Sequence, residues 1–179
     1  MIPGKILMSP RPKSIVKKFT YNEMGFTATL VSGTGWKTYR VFSGNSLYDP
    51  DYTGTGIQPQ YYDQYLSSGG LYQRYKVLAS RIDVYVDTTQ TGSVKIGIVP
   101  AKDPAASTAT IDQLQGIPDK KVAKIDTRVD ETNKSNMHHY HVTRRMYPGS
   151  SDDNLIGDYN GNPVDRWYWN VYFDGHALS

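Results

Sequence analysis

Alternation of apolar and polar positions defines the strands of this chain. From Leu78 to Val86 the apolar residues Leu78, Ile82, Val84 and Val86 share one parity, while Arg81, Asp83 and Asp87 take the other. That is the period of a strand with one packed and one wet face. Ser93 to Val99 alternates in the same way, with Val94, Ile96 and Ile98 together. Separated by the turn Thr89 to Gly92, these two strands are expected to lie antiparallel, although sequence neighbours need not pair in a Greek key. Arg166 to Asp174 sets Trp167, Trp169, Val171 and Phe173 against Tyr168, Asn170 and Tyr172, the heaviest core contribution in the chain. A weaker pattern from Phe26 to Phe42 gives two short strands, or one long strand with a bend, with Phe26, Ala28 and Leu30 on one face and Tyr39 and Val41 following the Ser32–Gly35 turn. Another lies at Val122–Asp126, and one at His138–Tyr147 with Tyr140, Val142 and Met146 on one parity. One helical turn is expected at Ile111–Gln115 under a Thr110 cap. Six or seven strands, long loops and almost no helix predict an all-β protein, a β-sandwich or jelly roll.

The stretch between the early and middle strands departs from this pattern. From Asn45 a polar loop of about thirty residues precedes the Leu78 strand, long for a compact domain unless it has a role of its own. It carries Tyr48, Tyr52, Tyr61, Tyr62, Tyr65, Tyr72 and Tyr75 among Gly, Pro, Asp and Gln. Disordered linkers are poor in aromatics, whereas tyrosine suits partly buried contacts, so this is expected to be an ordered interaction loop.

Composition narrows the classes. The 179 residues suffice for one domain with its own core, and the absence of cysteine excludes disulfides and Cys-based zinc sites. No apolar run has the length of a membrane span, and the N-terminus does not read as a signal peptide, so no membrane insertion is expected. The net charge of +3 is uneven: Lys5, Arg11, Lys13, Lys17 and Lys18 all precede the first acid, Glu23. Residues 1–18, interrupted by Pro3, Pro10 and Pro12, read as a basic N-terminal arm, and residues 19–179 as the folded domain. Such an arm is either a solvated tail or a binder of polyanions, its cations replacing counterions on phosphates. Arg144 and Arg145 are a second candidate for anion contact. Lys120, Lys121, Lys124 and Arg128 form a further cluster, diluted by Asp119 and Asp126 and read as solvated surface.

Candidate chemistry is sparse. Asp49, Asp51, Thr53 and Gly54 imitate the start of an EF-hand loop, but position twelve is Gln60 and no helices flank it, so an Asp-Pro turn is the better reading. Gly54-Thr55-Gly56 lacks the rest of a dinucleotide fingerprint. His138, His139 and His141 are the best metal candidates, His139 and His141 sharing a strand face. No third ligand accompanies them, and an exposed, anion-facing side or a response to acid pH is preferred. The Asn133-Lys134-Ser135 sequon reads as unused. Asp152, Asp153 and Asp158 lie in a turn-rich loop. No residue set implies a catalyst, a cofactor or a metal.

The run FSGNSLYDPDYTGTGIQP, then YYDQY, then LYQRYKVLASRIDVYV resembles the capsid proteins of circovirus-like viruses, which carry circular single-stranded DNA encoding a Rep protein. The matching positions are Asn45, Leu47, Asp49, Pro50, Gly56, Gln58, Pro59, Tyr62, Asp63, Gln64, Tyr65, Tyr72, Tyr75, Val77, Ser80 and Ile82. Looser similarity extends through His138–Met146 and Arg166–Phe173. The resemblance implies a single jelly roll of the viral capsid type that assembles, in about sixty copies, into a small icosahedral shell around the DNA. It implies a non-enzymatic structural protein of the virion, passing through the host nucleus, with a host receptor as a further partner. Lys5, Arg11, Lys13, Lys17, Lys18, Arg144 and Arg145 would contact phosphates, and Tyr48, Tyr52, Tyr61, Tyr62 and Tyr65 would form subunit contacts. The arm is shorter and less arginine-rich than the family's. The chain also stops soon after the tryptophan strand, so its last strand or strands are expected to be missing or supplied by a partner. A carbohydrate- or ligand-binding β-sandwich, using exposed Tyr and Trp as platforms, is the alternative.

Overall fold

The computed structural model describes residues 12–23, 25, 37–54, 57–87, 92–104, 120–127 and 134–176. Eight strands run through them: β1 (Lys37–Ser43), β2 (Arg74–Lys76), β3 (Ala79–Asp87), β4 (Gly92–Ala101), β5 (Lys121–Thr127), β6 (Lys134–Val142), β7 (Ile156–Asp158) and β8 (Tyr168–His176). Two single-turn helices, α1 (Tyr62–Tyr65) and α2 (Thr143–Met146), and a 3-10 turn at Asp153–Leu155 complete the set. The protein is all-β, and the pairings between these strands are antiparallel.

The pairings are nested. β1 pairs with β8, β2 with β7, β3 with β6 and β4 with β5. The described strands thus double back on one another as one nested ribbon, from β1 against β8 inward to β4 against β5. The ribbon is also wound, because β8 pairs with β4 on its other side, giving a four-stranded sheet in the order β1-β8-β4-β5. The β3–β6 pair forms a second layer, and β2–β7 a small third ribbon.

One core joins the two larger sheets. Ile96 and Ile98 of β4, Met137 of β6, and Trp167, Trp169, Val171 and Phe173 at β8 are buried together, with Phe42, Ile82, Val84 and Val86 packed against them. Of the expected apolar parities, Ile82, Val84 and Val86 of β3, Ile96 and Ile98 of β4, and Trp167, Trp169, Val171 and Phe173 at β8 thus face this core, whereas Leu78 lies just ahead of β3 and is 56% exposed. Trp167 and Trp169 meet edge to face at 4.9 Å, a favoured geometry for aromatic pairs. Their indole N–H groups donate to Thr143 Oγ1 at 3.3 Å and Ser80 Oγ at 2.8 Å, so each buried polar tip is satisfied and the layers are tied together. The far face of β8 is buried as well: Tyr168, Asn170, Tyr172 and Asp174 are all 5% exposed or less. A strand covered on both faces reads as the near-continuous run seen here.

Two expectations are corrected. β3 and β4 do not form a hairpin; they belong to different sheets. β4 is buried on both faces from Ile96 to Pro100 and needs a neighbour on either edge, which β8 and β5 supply. The cleanly alternating β3 suits the outer layer instead. The inward side of β6 is also the opposite of the one its hydrophobicity suggests. Ser80 lies across from His141, Ile82 from His139 and Val84 from Met137, so register with β3 turns the histidines inward. Tyr140 is left 59% exposed. The strand ends at Val142, and Thr143–Met146 is a helical turn. The elements expected at Phe26–Leu30, Ser32–Gly35 and Ile111–Gln115, and Asn133 of the sequon, lie outside the described residues.

Candidate functional site

The tyrosine-rich loop builds its own small core. Tyr62, Leu66 and Tyr75 are buried together, with Leu47, Tyr48, Tyr65, Tyr72, Val77 and Tyr159 packed around them. The Tyr75 hydroxyl donates to the Gly161 carbonyl at 2.9 Å, lies 3.2 Å from Ser46 Oγ and accepts from the Tyr48 N–H at 3.4 Å. Tyr62 donates to the Tyr159 carbonyl. The β2–β7 ribbon seats Tyr75 directly over Gly157, where a Cβ would lie 2.5 Å from its ring. Fully buried Asn45 spans to the start of β8, donating to the Asp165 carbonyl at 2.8 Å and accepting from the Trp167 N–H at 3.0 Å. The loop is therefore pinned to residues 156–167, more than eighty positions further along the chain.

This sorts the five tyrosines expected at a subunit contact. Tyr62 is 4% exposed and spends its surface inside its own chain. Tyr48 and Tyr65 are half-buried. Tyr52 and Tyr61 remain 42% and 54% exposed, Tyr52 resting edge-on against Tyr168 at 5.1 Å.

Residues 12–23 run in irregular, extended form across this loop. Phe19, Tyr21 and Glu23 alternate inward between exposed Lys18, Thr20 and Asn22. Phe19 meets Tyr65 edge-on at 5.9 Å, the Tyr72 hydroxyl donates to the Pro12 carbonyl at 3.2 Å, and the Gln60 N–H donates to the Thr20 carbonyl at 3.3 Å. Lys17 lays its ammonium over the Tyr65 ring at 3.7 Å, with the Tyr61 ring 5.8 Å away, a cation–π arrangement. Lys13 and Lys18 are exposed. The result is a surface of lysines on an aromatic floor. The basic segment is thus docked from Pro12 onward; Lys5 and Arg11 lie outside the described residues.

The far end of the segment is anchored by charge. Glu23 pairs with Arg40 of β1 at 2.7 Å, and the Tyr21 hydroxyl donates to Asp51 Oδ2 at 3.4 Å. Burial, then Asp51, raise the Glu23 carboxyl above its ordinary value, against the pull of Arg40. Burial, then Asp51 and Glu23, push the Tyr21 phenol up to about 12. Asp51 also accepts from Thr53 Oγ1 at 3.4 Å, and the Gly54 N–H donates back to its carbonyl at 3.2 Å. The EF-hand imitation is a closed turn against β1.

Burial likewise raises the phenols of Tyr62, Tyr75, Tyr147 and Tyr168. A folded-state pKa above the unfolded one means that the stability these groups contribute is complete below about pH 10 and lost as pH climbs through the raised values. A melting series is expected to show the midpoint falling from about pH 10 upward, with phenolate absorbance rising together with unfolding. A flat midpoint with freely titrating tyrosines would contradict the buried cluster.

The other candidates fall elsewhere. Arg144 donates to Asp152 at 2.9 Å and to the Ser150 carbonyl at 2.5 Å. Asp152 also pairs with Lys76 at 2.8 Å, and that partner, followed by Arg144, holds its carboxyl below the ordinary value. Arg145 is exposed. Lys121 is exposed and donates to the His138 carbonyl at 2.9 Å; the Lys124 side chain and Arg128 are outside the described residues. His139 and His141 do share a face, but it is the interior one: they pack on Trp169 at 5.1 Å and Trp167 at 5.2 Å. Of the three histidines only His138 is exposed. Among the described residues no three His, Cys, Asp or Glu are placed to hold a metal, and no helix is long and apolar enough to cross a membrane.

Sequence reasoning missed Asn45 as a clamp, Asp152 as a bridge and the backbone of Tyr61. Each depends on a partner distant in sequence or on a turn without its usual glycine. Compared with known proteins, the chain matches no family model, no curated protein and no solved structure.

Proposed function

We propose that this chain is a structural capsid protein of the circovirus-like kind, a jelly roll that self-assembles into a small icosahedral shell around circular single-stranded DNA. The nested pairing of the eight strands supports this most. An antiparallel ribbon that pairs its first strand with its last and winds into stacked sheets is a feature of jelly rolls, and here β1 pairs with β8, which also meets β4.

Within such a shell of about sixty copies, exposed Tyr52, with the half-buried Tyr48 and Tyr65, would give aromatic area to neighbouring subunits. Tyr62 would act indirectly, by holding the loop's shape. Lys13, Lys17 and Lys18, with Lys5 and Arg11 of the same arm, would neutralise phosphates without reading sequence, and Arg145 would add a further cation. Arg144 is partly committed to Asp152. No residue is asked to catalyse a reaction or hold a cofactor. The protein's places would be the virion and, during assembly, the host nucleus, and a host receptor would meet its outer surface. Two of the tryptophans that a carbohydrate-binding module would use as platforms, Trp167 and Trp169, are interior, which favours the shell.

Binding to single-stranded DNA tests the nucleic-acid part. Affinity is expected to fall steeply with salt. Replacing Lys13, Lys17 and Lys18 by alanine is expected to flatten that dependence, by about 0.7 in the log–log slope for each phosphate no longer neutralised. Unchanged affinity and slope in the triple variant would remove the arm from this role.

A further inference from the structure

Tyr61 is the only non-glycine residue with positive φ among those described, at φ 67 and ψ 11. The Tyr62 N–H donates to the Pro59 carbonyl at 3.0 Å, closing a turn with Gln60 and Tyr61 as its central residues. Gln60 is not in the positive-φ region, so Tyr61 occupies the type II position that glycine or asparagine fills without strain. Local folding gains little from a tyrosine there. The residue is 54% exposed, and the Lys17 ammonium lies 5.8 Å from its ring centroid. An unfavourable backbone that presents a large aromatic to solvent is the kind of outlier from which a role outside the fold is argued.

We infer that Tyr61 is a base-stacking platform, with Lys17 as its phosphate contact, and that it makes this surface select unpaired nucleotides over duplex; this rests on the nucleic-acid role proposed above. Lys17 is pre-placed for the task. It is held over Tyr65, which is itself braced edge-on by Phe19, so a placed cation stands beside the exposed Tyr61 side chain. Exposed Lys13 and Lys18 flank it along the extended segment. A single strand offers a phosphate and a free base face at each step, and stacking on aromatics tolerates any base. A duplex keeps its base faces stacked inside and offers this surface phosphates alone.

Tyr61→Asn separates stacking from structure, because asparagine tolerates the left-handed backbone. Binding of the full chain to fluorescent oligo-dA is expected to weaken about tenfold. Binding to a duplex and to an abasic oligomer of the same length is expected to stay unchanged, as is the salt slope, and the melting temperature should equal or exceed that of the wild type. Equal losses on all three polymers, or no loss on oligo-dA, would overturn the assignment. If the variant bound oligo-dA normally but assembled poorly, Tyr61 would be a subunit contact; the platform would fail and the shell would stand. A wild-type chain with no affinity for any polymer would overturn both the platform and the nucleic-acid role.

Discussion

Trp167→Ala is expected to leave no stably folded protein. Trp167 is fully buried, packs on Trp169 at 4.9 Å and on His141 at 5.2 Å, and donates its indole N–H to Thr143 at 3.3 Å. It also lies flat on the chain at Gly44, where a Cβ would come within 2.3 Å of the ring. Emptying so large a buried site costs about 3–5 kcal/mol, against a total stability of about 5–15 kcal/mol for a typical domain. The loss also strands the Thr143 hydroxyl and opens the seam between the two sheets. Insoluble expression or a collapsed denaturation midpoint is the expected observation. Trp167→Phe, which keeps a ring but not the N–H, should fall between alanine and wild type. A wild-type midpoint for the alanine variant would mean that the two-layer core is wrongly assigned.

The next largest effect is expected from Asn45→Ala. Asn45 carries no apolar bulk worth the name, but its two amide atoms satisfy the Asp165 carbonyl and the Trp167 N–H. Leaving a buried backbone group unpaired costs about 1–3 kcal/mol, so the pair together costs about 2–6 kcal/mol. Asn45→Asp keeps the acceptor for the Trp167 N–H and sets a carboxylate against the Asp165 carbonyl, so it should rescue at most part of the loss. Asn45 and Trp167 act on one stretch of chain, and the double variant is expected to cost less than the sum of the singles. Additive losses, measured by denaturant titration, would show that the clamp and the core are independent.

These two residues also mark what was legible in the sequence. The strands β3, β4 and β8 were, because Ile82 and Val84, Ile96 and Ile98, and Trp167 and Trp169 alternate cleanly enough to declare a strand and one core face, although the opposite faces of β4 and β8 are buried as well. The inward face of β6 was not. Tyr140, Val142 and Met146 are more apolar than His139 and His141, and only the register with β3 selects the histidine side. Three-residue strands such as β2 and β7 are too short to show a period, although together they fix Tyr75 over Gly157. The tyrosine loop was legible as ordered because of its aromatics. Its targets, the carbonyls of Tyr159, Gly161 and Asp165, are backbone groups that carry no sequence signal. For the same reason the run of tyrosines read as a surface for partners, whereas Tyr62 and Tyr75 serve the chain's own fold. Tyr61 was legible as exposed, but its turn was not, since Pro59-Gln60-Tyr61-Tyr62 holds no glycine to announce a positive φ.

Self-assembly is the central claim, and electron microscopy of the purified full chain, across protein concentrations and salts and with and without single-stranded DNA, tests it most directly. A shell protein is expected to give closed particles of uniform size, favoured by DNA and high protein concentration. A chain that remains monomeric under every condition, with no particle and no self-association, would contradict the account.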